Sequence, residues 1–164
     1  MIRNATLEDA GRIADIYNHY IEQTVITFEE EPVTAEIMAT RIQACQDHGL
    51  PWLVLEASEQ VIGFAYAGQW ITRPAYRYSV EVTVYLEHER VRRGQGSRLY
   101  EALFAELRGR GIHTAIGLIA LPNDASVALH EKMGMEKVAH LGEVGFKFGR
   151  WLDVGYWQGT LNAQ

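Results

Sequence analysis

The residues best suited to do chemistry lie at a glycine loop between a predicted strand and a predicted helix. Gly94 and Gly96 follow an alternating strand and stand directly before a helical pattern. Glycine lets the backbone approach a ligand closely, and a helix start offers free N–H groups at the positive end of the helix dipole. Arg90, Arg92 and Arg93 add positive charge beside the glycines. Together these features predict a binding site for an anion such as a phosphate group.

Two common nucleotide-binding loops do not match this junction. A Walker loop ends in Gly-Lys-Ser/Thr, whereas Gly96 is followed by Ser97 and Arg98. A dinucleotide loop needs a third glycine where Leu99 stands, and an acidic residue closing the next strand, where residues 113–120 contain none. The loop by itself therefore leaves two interpretations of equal weight: an anion site, or a tight turn with solvated arginines.

A carboxylate lies upstream of the loop, on the most regular strand pattern in the chain. Residues 79–86 alternate, with Val80 and Val82 on one face and Glu81 and Thr83 on the other. A carboxylate on the polar face of such a strand can serve as a general base. The alternative is a solvated glutamate on a half-exposed sheet, which is the more common situation for an isolated strand.

These groups need a scaffold, and the rest of the chain supplies helices and strands in a mixed order. Apolar residues at helical spacing predict helices at about 6–20, 34–49, 98–111 and 125–134. Short apolar or alternating runs predict strands at 52–57, 61–68, 79–86, 113–120, 135–141 and 146–161. The order α, α, β, β, β, α, β, α, β, β combines adjacent strands with β-α-β crossovers. It predicts an α/β or α+β domain built on a mixed sheet.

Length and composition limit the class of protein. A chain of 164 residues, 48% hydrophobic and 22% charged, fits a single globular domain spanning residues 1–164. The formal net charge of −6 argues against a nucleic-acid partner, because surfaces that bind DNA or RNA carry excess positive charge. Cys45 is the only cysteine, so no intrachain disulfide can form, which fits a cytoplasmic protein. No apolar run approaches the ~20 residues of a membrane helix, so no membrane partner is expected.

Several blocks, in order along the chain, resemble the GCN5-related N-acetyltransferase (GNAT) superfamily. One set comprises the run from Glu81 through RRGQGS, then Asn123, Ser126 and LHEKMGM. Further blocks are similar to the phosphinothricin and methionine sulfoximine acetyltransferase branch: IYNHYIEQTVITFEEEP, PWLVLEA, AYAGQW, VEVTVYL, LPNDASVALHEKMGM and KFGRWLDVGYWQ. This similarity extends from about Ile2 to Gln158. It implies a central mixed β-sheet flanked by about four helices, acetyl-CoA as co-substrate, no metal, and a homodimer.

The resemblance assigns the strand and the loop to acetyl-CoA. In that superfamily the loop amides hold the pyrophosphate, and the preceding strand hydrogen-bonds the pantetheine arm as one strand pairs with another. Val91 departs from the family pattern, because Gln or Arg is usual at its position. For Asn123, capping of the next helix is an alternative to ligand binding. The implied acetyl-CoA contacts are Val84, Tyr85, Leu86, Val91, Arg92, Arg93, Gly94, Gln95, Gly96, Ser97, Asn123 and Ser126.

The resemblance also implies catalytic roles. Glu81 takes the place of the general base that deprotonates the acceptor amine, directly or through water. His130 stands where many relatives have a tyrosine that protonates the departing thiolate, and a packing role for this histidine has equal weight. The His-Glu pairs at 88–89 and 130–131 each lack the second histidine of a zinc motif, so no metal is expected. Acetyl transfer is expected to be direct, within a ternary complex, and Cys45 is expected to fill the core.

The implied acceptor is the α-amine of a small amino acid or analogue, such as phosphinothricin, methionine sulfoximine or methionine sulfone. Arg73 is expected to hold its carboxylate through two parallel hydrogen bonds, while aromatic rings wall its side chain. For each such residue, an ordinary surface or core position is the alternative. The implied acceptor residues are Phe28, Trp70, Arg73, Tyr76 and Tyr85. Two other functions stay open, namely acetylation of a protein N-terminus or polyamine, and acyl-CoA sensing without catalysis.

Overall fold

The computed structural model describes residues 1–162, and these residues form a seven-stranded mixed sheet with four α-helices packed around it. The strands are β1 (Ile2–Asn4), β2 (Trp52–Ala57), β3 (Gln60–Gln69), β4 (Ser79–Leu86), β5 (Thr114–Leu121), β6 (Glu136–Lys147) and β7 (Arg150–Thr160). The helices are α1 (Ala10–Gln23), α2 (Ala35–Asp47), α3 (Gln95–Gly109) and α4 (Asp124–Lys132). The expected mixed sheet flanked by about four helices is thereby confirmed.

The sheet has one feature that shapes the site, a divergence between its two central strands. The strand order is β1-β2-β3-β4-β5-β7-β6, and within residues 1–162 only β4 and β5 run parallel to each other. Their pairing joins Ser79–Glu81 to Thr114–Ile116 and then stops. Beyond it, β4 continues against β3 as far as Leu86, and β5 continues against β7. The two strands therefore separate and leave one edge of β4 without a neighbouring strand.

Helices cover both faces of the sheet, which explains the apolar character of the strands. On the Glu81 face, the Tyr17 and Tyr20 rings of α1 lie 5.2 and 5.0 Å from the Tyr85 ring of β4. On the other face, α3 buries Leu99, Leu103 and Leu107, each about 0% exposed. Burying one leucine stabilises the fold by ~1.5–3 kcal/mol relative to exposure.

At the N-terminus the structure contains a strand that the sequence pattern does not predict. β1 has three residues, too few for a periodicity, and it forms by antiparallel pairing with β2. The first helix begins at Ala10 instead of Thr6, because Leu7–Asp9 form a separate 3₁₀ turn. In that turn the Thr6 N–H donates to the Asp9 carboxylate at 2.8 Å, as in a capping box.

At the C-terminal end, the prediction of one strand over residues 146–161 is wrong. Phe148 and Gly149 adopt φ angles of 51° and 72°, in the left-handed region, and turn the chain back on itself. The segment is therefore divided between the end of β6 and the whole of β7, which pair as an antiparallel hairpin. No helix within residues 1–162 has both the length and the apolarity to cross a lipid bilayer.

Candidate active site

A cavity of about 320 Å³ lies where β4 and β5 separate, and it brings together many of the predicted site residues. Its lining comes from both faces of the sheet because the divergence opens a passage between them. The predicted residues that line it are Phe28, Glu81, Val84, Tyr85, Asn123, Ser126 and His130. Of the described residues that line this cavity, Glu81 is the only one with an acidic side chain.

The Glu81 carboxylate is half-buried in this cavity and is free of protein partners. No group in residues 1–162 forms a hydrogen bond or an ion pair with it. Its neighbour on β3 is Gly68, which has no side chain to cover the carboxylate. Burial raises the pKa of Glu81, because a charged carboxylate is poorly solvated there. A carboxylate with these properties can take a proton from a substrate near neutral pH.

The His130 ring lies on the opposite wall, with both nitrogen atoms engaged. Its Nδ1 is 2.7 Å from the Ser126 carbonyl oxygen, which can only accept, so Nδ1 carries a hydrogen. Its Nε2 is 3.0 Å from the Tyr100 hydroxyl. Burial lowers the pKa of His130, although the Ser126 carbonyl partly opposes this effect. The neutral ring then leaves Nε2 as an acceptor, and Tyr100 donates to it.

Gly117 on β5 makes the space that the His130 ring occupies. A Cβ atom at this position would lie 2.6 Å from Cδ2 and 2.7 Å from Nε2 of the ring. No real Cβ tolerates such a separation, so even alanine must displace the imidazole. The missing side chain of Gly117 is therefore what lets His130 reach Tyr100.

We expect Gly117→Ala to lower the free energy of unfolding by about 2–4 kcal/mol, because it overpacks the core and breaks the hydrogen bonds of a buried imidazole. Chemical denaturation of the two proteins measures this difference. Gly109→Ala is the matched control, since a Cβ at the end of α3 meets no atom within 4 Å. Equal stability of Gly117→Ala and wild type would contradict the packing described for His130.

The glycine loop presents free backbone N–H groups at the start of α3. Gly94 has a φ of 88°, a left-handed conformation that favours glycine. The first hydrogen bond of the helix runs from the Arg98 N–H to the Gly94 carbonyl, so the N–H groups of Gly96 and Ser97 precede it. Gln95 closes the loop internally, because its side-chain oxygen accepts from the Arg92 N–H at 2.8 Å.

The arginines beside the loop differ in whether they form an ion pair with a carboxylate of the protein. Arg90 forms an ion pair with Glu87 at 3.2 Å. Arg92 and Arg93 are exposed and have no ion pair within residues 1–162. Val91 is also exposed, so its departure from the family pattern leaves an apolar side chain at the surface. Of the three arginines before the glycines, those at positions 92 and 93 are therefore free to contact an anion.

The open edge of β4 and the start of α4 complete the features expected of an acyl-CoA site. Val84 and Tyr85 lie on β4 beyond its pairing with β5, whereas the Leu86 carbonyl already accepts a hydrogen bond from the Tyr20 hydroxyl. The Asn123 side-chain oxygen accepts from the Ser126 N–H at 3.1 Å and caps α4. The expected cap is thereby present, and the side-chain NH₂ group of Asn123 has no protein partner in the described chain.

The predicted acceptor residues fall into two separate places. Phe28 and Tyr85 line the cavity that contains Glu81. Arg73 and Tyr76 line a second cavity, also of about 320 Å³, formed mainly by the segments around 48–50 and 69–80. Trp70 packs edge-on against Tyr156, with ring centroids 5.9 Å apart. In this structure the expected arginine clamp therefore does not reach the Glu81 cavity.

Sequence reasoning assigned no site role to five polar side chains of the Glu81 cavity, namely Tyr17, Thr27, Tyr66, Thr83 and Tyr100. Tyr66 on β3 pairs with Thr83 on β4, so knowledge of the strand register would have placed Tyr66 on the same face as Glu81. Tyr17 belongs to the helically spaced residues that predict α1, and such a residue is readily assigned to the core despite its hydroxyl group.

Cys45 is buried as expected, and burial raises the pKa of its thiol to about 11. No three metal-ligating side chains cluster anywhere in residues 1–162.

Comparison with known proteins relates this arrangement to enzymes of one family. The chain matches the model of the acetyltransferase (GNAT) domain over residues 2–155. It is 43% identical over 157 residues to a phosphinothricin N-acetyltransferase of Streptomyces viridochromogenes, covering 96% of this chain and 85% of that protein. It is 35% identical over 161 residues to an L-methionine sulfoximine/L-methionine sulfone acetyltransferase of Salmonella typhimurium, covering 98% and 94%.

A solved structure agrees with the sequence comparisons. A GNAT superfamily phosphinothricin acetyltransferase from Sinorhizobium meliloti, in complex with acetyl-CoA, superposes with a TM-score of 0.95 at 34% identity. The match covers 99% of this chain and 88% of that one. The diverging central strands, the glycine loop at a helix start and the family match over nearly the whole length lead to one conclusion: the chain belongs to the GNAT family of acetyltransferases.

Proposed function

We propose that this protein is an acetyl-CoA-dependent N-acetyltransferase whose acceptor is the α-amine of a small amino acid or analogue. The observation that carries this proposal is the unpartnered, half-buried Glu81 carboxylate beside the open edge of β4, in a single cavity. Phosphinothricin, methionine sulfoximine and methionine sulfone are the acceptors named for its relatives. We propose the same class here, with direct transfer in a ternary complex.

The described residues fit acetyl-CoA. The open backbone edge of β4 at Val84 suits an extended arm that carries amide groups, as an added strand would, whereas the Tyr85 backbone faces Phe64 on β3. The free N–H groups of Gly96 and Ser97, with Arg92 beside them, suit a pyrophosphate. When bound, acetyl-CoA supplies the acetyl group as an activated thioester. Arg93, Gly94, Gln95, Asn123 and Ser126 complete the proposed contacts, whereas Val91 and Leu86 contribute backbone only.

Glu81 is the proposed general base. An amine arrives as an ammonium ion, which has no lone pair and cannot attack a carbonyl carbon. Glu81 accepts the proton, and the raised pKa that its burial causes brings this carboxylate closer to the pKa range useful at neutral pH. The absence of a protein partner within residues 1–162 keeps the carboxylate available for that proton.

Two roles were expected for His130, protonation of the thiolate and a structural role, and its hydrogen bonds favour the structural one. Its Nδ1–H is committed to Ser126, and its Nε2 accepts from Tyr100, so the neutral ring has no hydrogen left to give. We therefore propose that His130 holds the Tyr100 hydroxyl in the cavity wall. For the acceptor, Phe28 and Tyr85 are the proposed contacts, since Arg73, Tyr76 and Trp70 lie outside that cavity.

A thiol-release assay with acetyl-CoA tests the proposed function. The acceptor panel holds amino acids, their sulfone, sulfoximine and phosphinate analogues, a polyamine and a peptide with a free N-terminus. We expect turnover with the amino-acid group, because one acid lines the cavity and a polyamine needs several. Turnover confined to the peptide or the polyamine would replace the proposed acceptor. Acetyl-CoA binding without any turnover would indicate a sensor.

We also propose a cytoplasmic homodimer that pairs through the β6–β7 hairpin. Five apolar side chains there are between 55 and 62% exposed: Val138, Val144, Phe146, Phe148 and Trp151. Such a patch on an edge strand is characteristic of an interface. The one free cysteine in the chain fits the proposed reducing compartment.

We expect the wild type to sediment at twice its 18.5 kDa chain mass and Trp151→Glu to sediment as a monomer. The substitution places a charge in the apolar patch, where burial against another chain would leave it unpaired. Sedimentation velocity at micromolar concentration measures both species. Ile37→Glu is the control, because Ile37 is an exposed apolar residue on α2, outside the hairpin. A monomeric wild type would contradict the proposal.

A further inference from the structure

One wall of the Glu81 cavity belongs to neither a helix nor a strand. The segment Ile26–Phe28, here called the acceptor wall, follows α1 and lines the cavity with all three residues. Ile26 and Phe28 are each about 40% exposed, so burial by itself holds them only weakly. Their position must therefore come from bonds to neighbouring elements.

On one side, the acceptor wall is tied to α1 and α2. The Tyr17 hydroxyl of α1 lies 2.8 Å from the Thr27 hydroxyl and also donates to the Glu29 carboxylate. Arg41 of α2 holds the same carboxylate with two parallel hydrogen bonds of 2.9 and 2.6 Å. This network fixes Thr27 and the residue that follows the segment, but leaves the β6 side of the segment to other contacts.

On the other side, the acceptor wall rests on the edge strand β6. The Phe28 ring occupies the space above Gly145, where any Cβ would overlap it. Next to it, Lys147 is only 1% exposed, and its ammonium donates to the Thr27 carbonyl at 2.8 Å. Lys147 is thus the polar link between the acceptor wall and the sheet.

A buried lysine at this position is expected to lower the free energy of unfolding relative to an apolar residue. Burial lowers the pKa of Lys147, and no carboxylate within residues 1–162 lies close enough to form an ion pair with its ammonium. Glu30 and Glu29 act on the ammonium only at longer range, and Glu29 is engaged by Arg41. Replacing a buried charge by an apolar side chain of similar volume is often neutral or stabilising. The charge-assisted hydrogen bond to Thr27 is what an apolar residue would not provide.

We propose that Lys147 is a positioning residue for the amine acceptor: its hydrogen bond to Thr27 holds the acceptor wall, and with it Phe28, against the cavity. This inference rests on the proposed acetyltransferase function. Lys147 does not itself line the cavity, so it acts through the wall and without touching the acceptor. The acetyl-CoA features, at the β4 edge and the loop before α3, lie on other elements and are independent of it.

The test is Lys147→Met, which keeps the length of the side chain and removes the donor. We expect the KM for the amino-acid acceptor to rise about tenfold or more, the effect of one lost charge-assisted hydrogen bond, with the KM for acetyl-CoA unchanged. Lys132→Met, at the exposed end of α4, is the matched control and should alter neither constant. Hydrogen exchange of residues 24–29 should be faster in Lys147→Met only.

The outcomes separate this inference from the proposed function. An unchanged acceptor KM in Lys147→Met would overturn it, and so would a higher KM without faster exchange of residues 24–29, which would indicate direct contact between Lys147 and the acceptor. If the wild type acetylates no amine, the proposed function fails, and the exchange of residues 24–29 still decides whether Lys147 holds the wall. Lys147→Leu, which also lacks a donor, takes the place of Lys147→Met should the methionine variant not fold, with the same criteria.

Discussion

Replacing Glu81 by glutamine is expected to lower kcat for amine acetylation by about 10²–10⁴-fold while leaving acetyl-CoA binding intact. The amide has nearly the shape of the carboxylate but cannot accept the ammonium proton. The acetyl-CoA features lie further along β4 and in the loop, so they do not depend on this side chain. Steady-state kinetics and calorimetric titration with acetyl-CoA measure the two effects separately. Turnover equal to that of the wild type would remove Glu81 from the mechanism.

The pH dependence supplies a second measurement of the same residue. Only the ionised carboxylate can act as a base, so activity should fall as the pH drops through the raised pKa of Glu81. E81Q should lack this acidic limb in whatever activity is left. Glu136→Gln is the matched control, because Glu136 is an exposed glutamate on β6, and that variant should keep the limb.

The same substitution should stabilise the fold at neutral pH. Burial raises the pKa of Glu81 above its unfolded value, so the folded state favours the protonated carboxyl. Protonated Glu81 therefore contributes to the stability of the fold, fully at a pH below its unfolded pKa. This contribution is lost as the pH rises through its folded pKa. The uncharged amide avoids the loss, so E81Q should melt above the wild type at pH 7. The difference should vanish below about pH 4, where both side chains are neutral.

Gly94→Val is expected to weaken acetyl-CoA binding by about tenfold or more. Gly94 has a φ of 88°, and a branched side chain there costs ~1–2 kcal/mol, which the loop can relieve by leaving this conformation. The N–H groups of Gly96 and Ser97 then no longer converge on one anion. Isothermal titration with acetyl-CoA measures the affinity.

The chain contains a close control for this experiment at the other end of α3. Gly111 also has a left-handed φ, 76°, and a Cβ at either glycine meets no atom within 4 Å. Gly111→Val should therefore cost similar stability with no change in acetyl-CoA affinity. Equal weakening by both substitutions would mean that the loop acts through stability alone.

Local signals determined much of the scaffold from the sequence. The strand at Ser79–Leu86 was predicted with its observed bounds, because strict alternation over eight residues fits few structures other than a strand. The helix beginning after Thr34 was also predictable, since Thr34 caps it by accepting from the Ile37 N–H. β1 and the turn at Phe148–Gly149 were not, because both depend on pairing with residues distant in the chain.

The sequence by itself determined which groups are candidates for the chemistry of this protein: the carboxylate on an alternating strand, the glycines before a helix, and the blocks typical of GNAT enzymes. These are local, because periodicity, capping and backbone freedom act over a few residues. Only the tertiary structure decided that Arg73 and Glu81 line different cavities, that Tyr100 engages His130, and that Lys147 donates to Thr27. Such relations depend on where β4 and β5 separate and where β6 ends, and these are set by packing between segments far apart in the chain.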